Sequence, residues 1–223
     1  MNLLMNNILS MILFIPVLSA LVIFFLPKEE KKLMRWTALL LSLIPFVLSL
    51  LLWFNFDKGQ SGFQFEEHLI WYEAINSTYH LGVDGISLTM VLLTTILTPL
   101  SILASFTIED RVKGYMSLFL LLETGMLGVF LSLDLLLFFV FWEVGLIPMF
   151  FLINQWGSEK GERVLWKGMK VSARQYASLK FLIYTMAGSL GLLLSIQLIG
   201  VISGSFDLPE LFVTWTSLEG TWN

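Results

Sequence analysis

Cysteine is absent from all 223 residues, and charged residues make up only 13% of the chain. The first absence excludes disulfides, iron–sulfur ligation and a Cys-bound zinc site. The second argues against a water-soluble protein, since soluble globular chains are about 25% charged. Histidine occurs only as His68 and His80. Each reads as a lone loop residue, a type more often structural or solvated than catalytic. No phosphate loop, dinucleotide fingerprint, zinc-ligand spacing or Ser-His-Asp arrangement is visible. Redox and hydrolytic chemistry therefore have no site here, and nothing points to nucleic acid. A basic leader is missing as well: Met1 to Asn7 holds no Lys or Arg. The apolar run from Ile8 to Leu26 is too long for the core of a signal peptide and reads as a first membrane span.

What the chain has is apolar surface. Hydrophobic residues make up 57%, and the mean hydropathy is +0.81. At about 20 residues per membrane crossing, six runs are long enough to span: roughly Leu3–Leu26, Leu33–Phe56, Gly85–Phe106, Gly114–Leu133, Asp134–Trp156 and Tyr176–Ser203. Asp84 is placed to cap the third. The fold expected is an all-α polytopic membrane domain over residues 1–203. A polar tail follows over 204–223, where Asp207-Leu208-Pro209-Glu210 predicts the start of a short interfacial helix. The stretch from Asp57 to Val83 carries Phe63, Phe65, Trp71, Tyr72 and Tyr79, the aromatics of a membrane interface.

The net charge of −4 decides little, because topology follows the positions of Lys and Arg. Lys28, Lys31, Lys32 and Arg35 follow span one. Arg111 and Lys113 follow span three. Lys160, Arg163, Lys167, Lys170 and Arg174 follow span five. The loop after span two holds only Lys58, the turn between spans four and five holds none, and the tail holds none. Basic and non-basic loops alternate, as six spans require. The positive-inside rule then places both termini outside and the basic loops in the cytoplasm.

Three ionisable residues fall inside spans: Glu123 in span four, Glu143 in span five and Lys180 early in span six. Counted from the 133/134 turn, each glutamate lies about 14–15 Å down its helix, near the middle of a core about 30 Å thick. That spacing predicts two carboxylates at matched depth on adjoining helices, able to meet or to share water if their polar faces meet. A charge at that depth costs about 2.5–3.5 kcal/mol on insertion scales, and such residues usually mark ion paths or proton relays. Neutral glutamates bonded to a neighbouring helix are the plainer reading. For Lys180 the plainer reading is a lysine reaching back to the interface. Pro148 frees the Val144 carbonyl beside Glu143, and Gly125, Gly128, Gly145, Gly188 and Gly191 permit close packing.

Four strings carry a resemblance: His80 to Leu88 (HLGVDGISL), Gly128 to Asp134 (GVFLSLD), Phe141 to Met149 (FWEVGLIPM) and Ala177 to Thr185 (ASLKFLIYT). In order, spacing and wording the chain resembles the subunit M (chain 4) family of respiratory complex I, an antiporter-like membrane-arm subunit. The resemblance implies a proton-translocating part in an NADH:quinone oxidoreductase. Glu143 would be the switching acid, Glu123 an auxiliary acid and Lys180 a relay base. It implies no cofactor in this chain: NADH, FMN, iron–sulfur clusters and quinone would belong to partner subunits. The partners implied are other membrane-arm subunits and the lipid bilayer, and the place is a bacterial inner membrane. Members of the family have about fourteen helices in two inverted repeats, so six spans correspond to an N-terminal part. The broken seventh helix, with the lysine that partners the span-five glutamate, would lie beyond Asn223. The loop from Gly157 to Gln175 is longer than the family leads one to expect. The rival readings are a subunit of a multisubunit Na⁺/H⁺ antiporter or membrane-bound hydrogenase, and a purely structural membrane chain.

Overall fold

The computed structural model describes residues 5–72, 75–164 and 168–218, with backbone alone for 215–218. Among the described residues, six helices are long and apolar enough to cross a membrane. They are α1 (Ile8–Phe25), α2 (Lys31–Asn55), α3 (Gly85–Ala104, prolonged by a 3₁₀ turn at Ser105–Thr107), α4 (Val112–Leu131), α5 (Leu135–Trp156) and α6 (Ala173–Ser203). Their bounds follow the apolar runs to within a few residues, except that α1 begins at Ile8 rather than Leu3. Leu3 and Leu4 lie outside the described residues.

Asp84 caps α3 as its position predicts. Its carboxylate accepts from the N–H groups of Ile86 and Ser87 at 3.1 and 2.7 Å, and the Ser87 hydroxyl accepts from the Asp84 N–H at 2.9 Å. Asp84 is partly desolvated, but these donors outweigh that and hold its carboxyl below the ordinary aspartate range. Asp134 is the N-cap of α5, its carboxylate accepting from the N–H groups of Leu136 and Leu137 at 2.8 and 3.0 Å.

Among the described residues two β-hairpins join the helices, and neither is foreshadowed in the all-helical reading. The first pairs β1 (Gln64–Tyr72) with β2 (Ser77–Val83) between α2 and α3. A bulge between Gln64 and Glu67, with Phe65 in the left-handed region at φ 56°, breaks the side-chain alternation. Glu67 consequently reaches α1 and accepts from the N–H of Leu9 at 2.8 Å, the N–H of Ser10 at 3.2 Å and the Ser10 hydroxyl. Tyr79 meets the same hydroxyl at 2.6 Å. Burial first, and then the Glu67 charge, push the Tyr79 phenol up. The second hairpin, β3 (Glu162–Val164) with β4 (Lys170–Ser172), occupies the long loop after α5. Lys167 of that loop lies outside the described residues.

The first hairpin closes one face of the bundle. The Leu133 N–H donates to the His80 carbonyl, the Leu135 N–H to the Phe206 carbonyl and the Leu208 N–H to the Leu133 carbonyl, all at 2.8–2.9 Å. The α4–α5 turn is thereby stitched to the hairpin on one side and to the turn that follows α6 on the other. Helix α7 runs over Leu208–Leu218, starting where the Asp-Leu-Pro-Glu string predicts a start. On the opposite face the basic loops meet. The Lys113 ammonium donates to the Phe24 carbonyl at 2.6 Å and Arg111 to Gln155 at 3.1 Å, while Arg35 faces Glu109 at 3.4 Å.

Candidate functional site

Two apolar clusters fill the bundle. One lies toward the hairpin face around Ile8, Leu9, Leu52, Leu88, Leu127 and Leu131, and the other toward the basic face around Ile23, Met34, Ile102 and Met116. Between them the helices contribute a buried polar layer of Ser42, Ser49, Thr94, Thr95, Thr98, Glu123 and Thr124. The hydroxyls bond among themselves and to helix carbonyls: Ser49 meets Thr95 at 2.7 Å, and Thr98 donates to the Thr94 carbonyl at 3.0 Å. The Thr94, Thr95 and Thr98 spacing places these groups on one side of α3. That periodicity was the available signal for a layer which inspection of charged residues alone does not find.

Glu123 is fully buried in this layer, with Thr98 of α3 beside it. Neither of its carboxyl oxygens has a hydrogen-bond partner among the described residues. A buried group of this kind without a partner is costly and rare, which singles it out from the structural serines and threonines around it.

Helices α4 and α5 pack at a pair of glycines. A Cβ on Gly125 would lie 2.7 Å from the Gly145 Cα, and a Cβ on Gly128 would overlap the Phe141 ring. The buried face of α5 is Leu137, Phe141 and Pro148, which with Gly145 forms one helical stripe. At Gly188 and Gly191 an added Cβ would meet nothing within 4 Å among the described residues.

This seam corrects the expected placement of the carboxylates. Each glutamate lies two residues before its contact glycine, about 200° around the helix. Both therefore turn away from the α4–α5 seam and from each other. Because the helices are antiparallel, the two-residue steps run in opposite directions, and the glutamates are offset along the bundle by about 6 Å. Counting from the turn assumes that residues equally far from it are level, whereas the glycine contact sets Gly125 beside Gly145.

Glu143 belongs to another stripe of α5, with Val140 (40% exposed), Ile147 (59%) and Phe151 (40%). Its Oε1 is shielded and has no partner among the described residues. Next to it, Trp142 donates to the Ser189 hydroxyl of α6 at 3.2 Å. An almost wholly apolar cavity of about 330 Å³ lies among Gly125, Met126, Phe141, Trp142, Gly145 and Phe181, and neither glutamate lines it. Lys180 is exposed on α6, with its ammonium 5.7 Å from the ring centres of both Tyr176 and Tyr184. The fold thus places Glu123 inside the polar layer, Glu143 on an open flank and Lys180 between two tyrosines. No two of the three are brought into a contact.

Residues 5–134 match the family profile described as NADH-ubiquinone oxidoreductase chain 4, amino terminus. Residues 132–223 match the profile described as NADH:quinone oxidoreductase/Mrp antiporter, TM. The chain is 39% identical over 232 residues to NADH-quinone oxidoreductase subunit M of Rhodobacter capsulatus, covering 97% of this chain and 42% of that one. It is 42% identical over 207 residues to NADH-ubiquinone oxidoreductase chain 4 of Arabidopsis thaliana, covering 92% and 39%. In three dimensions it matches a chain of respiratory complex I from Thermus thermophilus with a TM-score of 0.73 at 25% identity, covering 92% of this chain and 39% of that one. The chain spans about two fifths of the length of these relatives.

Proposed function

The chain belongs to the NADH-ubiquinone oxidoreductase chain 4 family, the subunit M type, and from that premise we propose that it is a proton-translocating membrane-arm component of a complex I-like NADH:quinone oxidoreductase. In this reading the chain handles protons while electron transfer takes place in partner subunits. The carrying observation is the pair of carboxylates within spans with shielded oxygens that lack partners among the described residues, both oxygens of Glu123 in a layer of hydroxyls and Oε1 of Glu143 on an open helix flank.

The two carboxylates serve different steps. Glu143 is the switching acid. Its flank of α5 is covered, in the assembled complex, by a further helix bearing a cation, and the gain or loss of that charge partner sets whether Glu143 holds a proton. Glu123 is the auxiliary acid, reached through the Ser49, Thr95 and Thr98 hydroxyls. Lys180, held between two aromatic faces that favour a cation, is a relay base at the flank of α6. Loops α1–α2, α3–α4 and α5–α6 face the cytoplasm of a bacterial inner membrane, with the β1–β2 hairpin and both termini outside, because the basic residues concentrate on that one face.

The test is Glu143→Gln in the assembled complex reconstituted in vesicles. NADH oxidation coupled to a pH-sensitive dye is expected to keep electron transfer measurable and to lose most proton uptake. Unchanged pumping with the complex intact overturns the assignment. A subunit of a cation–proton antiporter would use the same residues. Co-purification separates the readings, since iron–sulfur and quinone-site subunits accompany the chain only in the first.

A further inference from the structure

The two histidines take no part in the proposed transport, and on the hairpin face they come together. His80 of β2 is 5% exposed. Its ring meets the His68 ring of β1 edge-on, with centroids 4.7 Å apart. Both His80 nitrogens face carboxylates: Nδ1 faces Asp207 of the α6–α7 turn, and Nε2 lies 2.9 Å from Glu66 of β1. One donor atom each from His68, His80 and Asp207 lie within 4.8 Å of one another. A neutral imidazole carries a single N–H. If it donates from Nε2 to Glu66, His80 presents a lone pair at Nδ1 toward Asp207; the two atoms are at hydrogen-bond contact as they stand, and a small rotation of the Asp207 carboxylate opens the gap that two metal–ligand bonds of about 2 Å each require.

We propose that His68, His80 and Asp207 bind one divalent transition-metal ion of the zinc class. Two imidazoles and a carboxylate are a donor set that zinc accepts, and three protein ligands leave a fourth position for water. Glu66 accepts the His80 Nε2–H, which fixes the tautomer and aims Nδ1 at the ion, the carboxylate–histidine–metal arrangement. The neighbouring Glu67 is already engaged by Leu9 and Ser10 and stays out of the coordination shell. A polar cavity of about 540 Å³ lined by Asn6, Asn7, Ser10, Glu66, Glu67 and His68 adjoins the cluster and supplies an entry path. His80 and Asp207 are 127 positions apart in the chain, so the ion fastens the hairpin to the end of the sixth span.

Titration of the purified full-length chain in detergent with Zn²⁺, against a competing chromophoric chelator, tests this. One tightly bound equivalent and a rise in Tm are expected, and Co²⁺ in its place is expected to show the visible bands of a four-coordinate nitrogen–oxygen site. His68→Ala changes an exposed ring and should leave the metal-free Tm unchanged while weakening Zn²⁺ binding at least about 100-fold. Glu66→Gln keeps every ligand and should weaken it about 10–100-fold. Absence of a stoichiometric equivalent, or binding that His68→Ala does not alter, overturns the proposal and leaves His80 as a structural side chain hydrogen-bonded between Glu66 and Asp207.

Discussion

Exchanging the two seam glycines one at a time separates packing from every other property of α4 and α5. Gly125→Ala puts a Cβ 2.7 Å from the Gly145 Cα and 2.8 Å from its N, both backbone atoms that cannot rotate away. Ordinary contact begins near 3.4 Å, so the helices must part by roughly 0.7 Å. Gly145→Ala puts its Cβ 3.9 Å from the Gly125 Cα, in ordinary contact. Both substitutions gain the same helix propensity, about 1 kcal/mol, so the difference between them isolates the clash. Overpacking of this kind costs about 1–3 kcal/mol. Gly125→Ala should therefore unfold more readily than Gly145→Ala by a factor of about 5 to 150. Unfolding in mixed micelles of rising SDS content, followed by far-UV dichroism, measures the difference. Equal stabilities, or Gly145→Ala as the weaker variant, would refute the seam register and with it the placement of the glutamates on opposite sides.

Asp134→Ala removes the α5 cap and also strands the Thr78 N–H, which donates to it at 2.8 Å. A cap is worth about 0.5–2 kcal/mol, and a stranded donor costs about 1–3 kcal/mol when buried, the lower end applying to the part-buried Thr78 N–H. The same SDS titration should show a loss of about 1.5–5 kcal/mol, with Asp134→Asn intermediate. Glu67→Ala releases the N–H groups of Leu9 and Ser10 and should cost about 1–3 kcal/mol, Glu67→Gln less. Asp84 has a carboxyl held low in the fold. Its contribution is complete above the ordinary aspartate value of 3.8 and is lost as pH falls through the lower folded value. Tm should fall over that acid range, and Asp84→Asn, which still caps, should flatten the fall. If Asp84→Asn leaves the acid slope as it was, the cap is not its source.

Much of the bundle is legible in the residues, because a lipid core demands about 20 apolar residues per crossing and the basic loops mark alternate ends. The Asp84 cap and the start of α7 are legible for a local reason: an Asp before a helical run has few other uses. The first hairpin is harder to see. Gln64 to Tyr72 does not alternate, since the bulge at Phe65 puts Glu66 and Glu67 to separate tasks. The aromatics around it also read equally well as an interface belt. The glutamates are legible as lying within spans, but the residues show neither that only Glu123 of the two is buried nor that the two are opposed. Their facing depends on which residues touch across α4 and α5, and that is decided by Gly125 meeting Gly145. Of His68 and His80 the sequence says only that both lie in one loop. Their meeting with Asp207, far along the chain, is a property of the closed fold.

The stitching of the hairpin face also constrains the order in which the chain acquires its shape. Synthesis delivers residues 64–83 early, and they can receive the α4–α5 turn as soon as span five emerges. The bonds from that turn to Phe206 and Leu208 must wait until the sixth span has crossed. Until then the turn stands half bonded, with the Leu135 N–H and the Leu133 carbonyl still open to water. Pairings separated by this much chain form slowly, because loop-closure entropy comes before the contacts that offset it. Crossing of the sixth span is thus the event that locks the first five.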